Sequence, residues 1–341
     1  VFDDTRLSDP QALAGVDEQL RAIAGWGAQV RLARDAAQPA LEALAADPDP
    51  RPRAVVAAGP DGRLLRTVLE PVCPVPFVAW PHAGLPGWAG PLDLVVVLST
   101  TGEGSVEDEA KVAEAVRRGC EIVVACPDGS TLHQARAGRG TWLPAGSSDA
   151  LALSVPVLIA LHSLGLGPQT AAEPVADALD EVATRCGPAS PVDLNPAKEL
   201  ALVLADRVPV LWGGSPLAGR AARRLAEALR AATGVPAVAG DVAQLLPLLQ
   251  AAPERDVFAD PFAEAESSAA TASPVLVLLD DGSAGEAVVT ERGLLEDAAA
   301  SRGVRVHRIV TDDGPDVARF ASLLAIGRFA AVYLALGQGE P

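Results

Sequence analysis

The chain has 341 residues, 49% of them hydrophobic, and 44 Asp and Glu against 27 Lys and Arg give a formal charge of −17. That length holds two domains with cores of their own, and the acidic excess argues against nucleic-acid partners and anionic membrane surfaces, both of which attract cationic proteins. Apolar runs such as Leu94–Leu98, Ile122–Ala125 and Val275–Leu279 fall far short of the roughly 20 residues of a membrane-spanning helix, so no membrane partner is expected.

From Asp9 to Asp47 the chain is rich in Ala and Leu, with Leu13, Val16, Leu20, Ile23 and Trp26 at helical spacing. The pattern predicts two or more helices broken near Gly25–Gly27, forming an N-terminal helical arm over residues 1–48. Short aliphatic strands then alternate with helical stretches. Strands are expected at Ala54–Ala58, Pro76–Trp80, Asp93–Ser99, Glu121–Cys126 and Thr141–Pro144, with helices at Ser105–Arg118 and from Ser148. Such alternation predicts a parallel sheet covered by helices, here a first α/β domain over residues 49–190.

The stretch Asp93 to Glu109, DLVVVLSTTGEGSVEDE, is the most informative. Leu94–Leu98 has the length and β-branching of a strand buried on both faces. Ser99, Thr100 and Thr101 offer hydroxyls, Gly102 and Gly104 allow a tight turn, and Ser105 is placed to cap a helix whose free N–H groups face that turn. An anion such as phosphate suits this arrangement. Glu103, Glu107, Asp108 and Glu109 oppose it by charge, although acids are also ordinary in a first helical turn. A strand–turn–helix junction without a ligand has the same features.

Pro188 to Pro196, PASPVDLNP, reads as a linker. A second α/β domain over residues 191–341 follows, with a helix at Pro196–Ala205, strand Val208–Trp212, helix Pro216–Thr233, strand Pro236–Ala239 and helix Val242–Gln250. It continues with strand Pro274–Leu279, helix Glu286–Ser301, strand Val304–Ile309 and a closing helix Asp316–Leu336. Pro253 to Ser273 is acidic and turn-like, and reads as a loop. Ligands of open α/β sheets bind beyond the carboxyl ends of strands, which points to the turns after Ala58, Leu98 and Trp212.

Gly213-Gly214-Ser215 after an apolar strand offers a second oxyanion or phosphate loop, and Leu217 excludes a nucleophile elbow of the G-x-S-x-G kind. Arg220 and Arg223 stand three residues apart on the following helix, placed for a phosphate, a partner subunit or solvent. Glu103 is the carboxylate positioned to act as a base. His82 lies in a Pro/Gly/Trp loop, His133 one helical turn past Gly129 and Ser130, and His162 and His307 on apolar patterns that suggest packing. The four cysteines form no C-x-x-C pair, so neither a metal site nor a cofactor is expected. Reduced thiols and the lack of a charged segment leading into an apolar one at the start suggest the cytoplasm.

Several motifs together resemble the sugar isomerase (SIS) domain superfamily, in particular its bifunctional phosphoglucose/phosphomannose isomerase type with the TobH-like branch. Leu98-Ser99-Thr100-Thr101-Gly102 stands where that family carries a Ser-x-Ser-Gly-x-Thr phosphate loop, and Leu143-Pro144-Ala145-Gly146 resembles its Pro-x-Gly stretch. Asn195-Pro196-Ala197-Lys198-Glu199-Leu200-Ala201, then Val208–Gly214 and Arg220, is similar to the opening of its second domain. Arg328-Phe329-Ala330-Ala331-Val332-Tyr333-Leu334-Ala335-Leu336 resembles its closing helix.

The resemblance implies two tandem SIS-like parallel-sheet units, which pair their faces or dimerise, and a sugar phosphate as ligand. It implies aldose–ketose isomerisation of glucose, mannose and fructose 6-phosphates through a cis-enediolate, with contacts from Gly59, Arg63, Ser99, Thr100, Thr101, Gly102, Ser105, Gly214, Ser215 and Arg220. Departures point to an alternative. The family's Gly-x-Gly-Gly-Ser reads Gly59-Pro60-Asp61-Gly62-Arg63, its Pro-Arg reads Asp149-Ala150, and its Pro-Glu and His-Asn segment has no counterpart between Gly234 and Phe262. The alternative is a catalytically inactive, phosphosugar-binding regulatory protein on the same scaffold.

Overall fold

A computed structural model describes residues 2–47, 51–59, 62–100, 106–253, 273–283, 285–311 and 313–339. These fall into two compact units, Trp26–Asp177 and Val1–Gly25 with Ala178–Pro341. Helices α1 (Pro10–Gly15), α2 (Asp17–Ala24) and α3 (Trp26–Ala46) bear out the helical reading of the N-terminal stretch, with Gly25 at the break.

The unit containing α3 is built on β1 (Ala54–Ala58), β2 (Phe77–Trp80), β3 (Asp93–Leu98), β4 (Glu121–Cys126) and β5 (Thr141–Pro144). All neighbours run parallel, in the order β2-β1-β3-β4-β5. Its other helices are α4 (Gly62–Leu69), α5 (Val106–Arg118), α6 (Thr131–Ala135) and α7 (Ala150–Ser163), and α8 (Ala172–Cys186) carries residues of both units. Every residue of β1 and β3 is buried, as strands covered on both faces require. Val56, Val95, Val97 and Val124 share one core with Val112 and Ala115 of α5 and Leu132 of α6. Alternate residues turn to the other face, the side on which α7 meets β3 and β4 while packing on α3. Gly59 to Arg63, expected as a loop, gives way to α4 at Gly62, whose missing Cβ would stand 2.8 Å from the Ala57 carbonyl oxygen.

The second sheet comprises β6 (Val208–Gly213), β7 (Val238–Ala239), β8 (Pro274–Asp280) and β9 (Arg305–Val310), parallel in the order β7-β6-β8-β9. It is flanked by α9 (Pro196–Leu204), α10 (Pro216–Thr233), α11 (Val242–Gln250), α12 (Glu286–Ser301) and α13 (Asp316–Gln338). Val210, Trp212, Leu276 and Leu278 pack against Leu245 and Leu249 of α11 and Leu295 of α12. On the opposite side α13 lies against α9 and α10. At 23 residues α13 is long and apolar enough to cross a membrane, which corrects the expectation that no segment reaches that length; 89% of its most apolar window is buried in the fold. Short breaks such as Ser322 and Gly327 hid its continuity from a search for uninterrupted apolar runs.

His307 on β9 keeps its packing role: it is partly buried, with Nδ1 3.9 Å from Glu199 Oε1. Burial lowers its pKa below the ordinary 6.5, Glu199 pulls it back up and Arg305 lowers it further. The unfolded chain therefore takes up this proton first as pH falls, so the stability His307 contributes at neutral pH declines below about 6.5 and is lost at the depressed native value. The urea midpoint is expected to drop between about pH 7 and pH 5, and His307→Gln to flatten that slope. An unchanged slope in the variant would remove His307 from the account. His162 does not pack as expected: it is exposed on α7, with Nδ1 3.1 Å from the Gly167 carbonyl.

Candidate functional site

In a parallel sheet of order 2-1-3-4-5 the connections leave β1 and β3 toward opposite faces, opening a crevice beyond their carboxyl ends. Gly59 follows β1 and Ser99 and Thr100 follow β3 at this place. Ser99 is buried, its N–H donating to the Ala125 carbonyl at 2.9 Å, and Thr100 is partly exposed. Thr101, Gly102, Glu103 and Ser105, the side chain of Arg63, and most of the loop expected over Pro253 to Ser273 lie outside the described residues.

Gly59 adopts φ +94°, and a Cβ on it would stand 2.9 Å from Asp108 Oδ1. Only glycine combines that backbone with so close an approach. Asp108, in the first turn of α5, pairs through the same oxygen with Lys111 Nζ at 2.9 Å, and both side chains are almost wholly buried. The sequence suggested an ordinary helix-start acid here, and the fold makes it half of a buried ion pair near Gly59. Its sequence signal was Lys111 itself, one of two lysines in the chain, on the helix face that carries Val112 and Ala115.

A second cluster forms after β4. Ser130 caps α6 by accepting the His133 N–H at 3.1 Å, and the His133 ring stacks on Trp142 at 4.1 Å with an 11° interplanar angle. Nδ1 of His133 lies 3.1 Å from both the Gly129 N–H and Asp128 Oδ1. Without a hydrogen that nitrogen accepts from Gly129, and carrying one it donates to Asp128, so the two contacts are alternatives. Trp142 is anchored by its indole N–H to the Cys126 carbonyl at 3.1 Å. The Thr131 hydroxyl donates to Glu109, tying α6 to the first turn of α5. Burial pushes the Cys126 thiol up, which makes it an inert packing group at neutral pH. The carboxylate partner of His133, five residues back across a turn, was missed because it obeys no helical spacing. His82 remains exposed, edge-on to Trp80 at 4.9 Å.

In the second unit the corresponding crevice lies between β6 and β8. Ser215 caps α10 by accepting the Ala218 N–H at 2.9 Å, while its hydroxyl donates to Asp281. Asp281 is 2% exposed and also accepts the Ser283 N–H at 3.2 Å. A buried carboxylate thus occupies the place where the sequence suggested an oxyanion or phosphate loop, and it disfavours a second anion. Gly214 is tightly enclosed: a Cβ would come within 2.4 Å of Val288 Cγ1. Arg220 is partly buried on α10 and Arg223 exposed. The strand-end rule that selected Gly214 and Ser215 also covers Asp280, which ends β8, and Asp281, which follows it, and would have found the acid.

The motifs that carried the family resemblance prove structural. Asn195, 1% exposed, caps α9 by accepting the Ala197 and Lys198 N–H groups at 3.0 Å each and donates to the Gly187 carbonyl at 3.1 Å. Lys198 Nζ donates to the Pro188 and Ser190 carbonyls at 2.9 and 3.0 Å and lies 5.5 Å from the Tyr333 ring centroid. Tyr333 donates to the Cys186 carbonyl at 2.7 Å, and burial raises its pKa while pushing the Cys186 thiol up to about 12. In the Pro-x-Gly stretch, a Cβ on Gly146 would meet the Leu32 carbonyl oxygen at 2.3 Å, so glycine there admits α3. Asp149 caps α7 through the Ala152 N–H at 2.9 Å. Among the described residues, no three His, Cys, Asp or Glu side chains gather as a metal site requires.

A family model described as the bacterial phospho-glucose isomerase C-terminal SIS domain matches residues 193–340. No curated protein sequence matches the chain. Among solved structures, a glucose-6-phosphate isomerase like protein from Thermus thermophilus is similar at 19% identity and TM-score 0.51, over 90% of this chain and 92% of that one. The tagatose-6-phosphate ketose/aldose isomerase from Escherichia coli is similar at 16% identity and TM-score 0.62, over 97% and 96%. The C-terminal domain of glucosamine-fructose-6-phosphate aminotransferase from Francisella tularensis is similar at 12% identity and TM-score 0.63, over 95% and 97%. Residues 193–340 thus match a SIS domain of the bacterial phospho-glucose isomerase C-terminal kind, and the chain shares its two-sheet architecture with these solved structures along its length.

Proposed function

We propose that the chain binds a hexose 6-phosphate at the turn following β3 and interconverts its aldose and ketose forms, with glucose, mannose and fructose 6-phosphates as substrates. The observation that carries this reading is the position of Ser99 and Thr100 at the carboxyl end of β3, beside the strand-order reversal. The match of residues 193–340 to a phospho-glucose isomerase SIS domain, and the likeness in fold to sugar-phosphate isomerases, support the ligand class. In this reading the hydroxyls of Ser99, Thr100, Thr101 and Ser105 and the backbone at Gly59 and Gly102 receive the phosphate, and Arg63 adds a cation. Glu103 removes the proton from C2 of the open-chain aldose and returns it to C1 through the enediolate, while His133 protonates the ring oxygen during opening.

A second reading, a phosphosugar-binding protein without turnover, draws on the Asp108–Lys111 pair, in which the lysine buried beside this turn already has its counter-ion. A coupled assay of fructose 6-phosphate conversion separates the two. Glu103→Gln is expected to lower turnover by about 10²–10⁴-fold, the usual worth of a general base, while thermal stabilisation by the sugar phosphate persists. Thr100→Val is expected to weaken that stabilisation. Stabilisation of the parent chain without turnover establishes the second reading, and the absence of both removes the phosphosugar altogether.

A further inference from the structure

At the amino-terminal edge of the first sheet, opposite the crevice after β3, lies a cavity of about 320 Å³. That volume is at the small end of ligand pockets, near 300 Å³. Its floor is apolar: Leu94 and Ile122 from the starts of β3 and β4 are buried there, and Leu164 follows the end of α7. Leu92, just before β3, lines the same cavity and is 68% exposed, so apolar surface faces water here.

Two arginines line the cavity and differ in their engagement. Arg53 is fixed by a bidentate pair to buried Asp93, at 3.0 and 2.6 Å, and by the Trp88 carbonyl at 2.9 Å. Arg51 makes no ion pair or side-chain hydrogen bond among the described residues, and its guanidinium passes 3.8 Å from where a Cβ on Gly165 would stand. An Arg with its planar fork of donors open, above an apolar floor, matches a carboxylate attached to an apolar body. Glu121, at the start of β4, brings a negative charge to the rim and disfavours a dianion such as phosphate.

We propose that this cavity binds small apolar monocarboxylates, with the carboxylate on Arg51 and the hydrocarbon against Leu92, Leu94, Ile122 and Leu164. The site is independent of the phosphosugar turn. The test titrates the full chain with 3-phenylpropionate and octanoate by calorimetry and saturation-transfer NMR, with 3-phenylpropanol as the uncharged control. Both acids are expected to bind and the alcohol to bind about tenfold more weakly. Arg51→Gln is expected to weaken the acids by about tenfold without weakening the alcohol, and Leu92→Asp to abolish binding of all three. Arg51 and Leu92 are exposed, and unchanged thermal unfolding of both variants without ligand checks that they fold. Glucose 6-phosphate and inorganic phosphate are expected not to compete. The proposal is overturned if neither acid binds, if affinity is unchanged in Arg51→Gln, or if glucose 6-phosphate displaces the acids.

Discussion

Lys111→Met is expected to cost about 3–5 kcal/mol of folding stability, because it takes the ammonium group away from the Asp108 carboxylate in a place water does not reach. Lys111 is 1% and the Asp108 side chain 8% exposed, and their contact is 2.9 Å. The loss would be a large part of a typical total of about 5–15 kcal/mol. Asp108→Asn in the same chain removes the buried negative charge, so the double variant should recover most of the loss. Chemical denaturation of the three variants checks this. A single-variant cost under about 1 kcal/mol, the range of surface pairs, would mean that the carboxylate is hydrated. Because Asp108 lies against Gly59, the single variant should also weaken any phosphosugar binding at the turn after β3, and the double variant should restore it.

Asn195→Ala is expected to destabilise by about 3 kcal/mol, the combined size of a lost helix cap and an unsatisfied buried carbonyl. The side chain meets two N–H groups of α9 and the Gly187 carbonyl while 1% exposed. Asn195→Asp separates these contributions. It keeps the acceptor for the cap, cannot donate to Gly187 and brings a charge into a buried position, relieved in part by α9's positive end. A recovery limited to a fraction of the Ala loss, read from denaturant midpoints, supports the division. If Asn195→Ala changes stability by less than about 0.5 kcal/mol, the cap is not among the contacts that hold this unit.

The Asn-x-Ala-Lys and Tyr-Leu-Ala-Leu stretches therefore report on architecture. Asn195 orders the start of α9, Lys198 ties down the Pro188 and Ser190 carbonyls of the segment read as a linker, and Tyr333 reaches back to Cys186. Both stretches lie within the matched residues 193–340 and make structural contacts here, and they carry no information about whether the crevice after β3 performs chemistry. The residues proposed to bear on chemistry are different ones: Ser99 and Thr100 beside β3, and His133 with Asp128 and Trp142.

The order of the strands and the longer helices between them were legible in the chain before any folding was considered, whereas α4 and α6 were not expected. Glu121–Cys126, Pro216–Thr233 and Glu286–Ser301 have the limits their periodicity predicts, because burial on a strand or helix repeats every two or three to four residues and is written locally. The end of β3 before Ser99 was legible for the same reason, while Thr101 to Ser105 lie outside the described residues. Packing in three dimensions alone chose the polar partners. Ser215 meets Asp281 across 66 positions and Tyr333 meets Cys186 across 147, distances over which periodicity carries no signal. It also decided that Lys111 is buried rather than solvated, and that α13 is the core of a unit. In each case the outcome depends on which side chains the crossing connections bring together and on how much water they exclude.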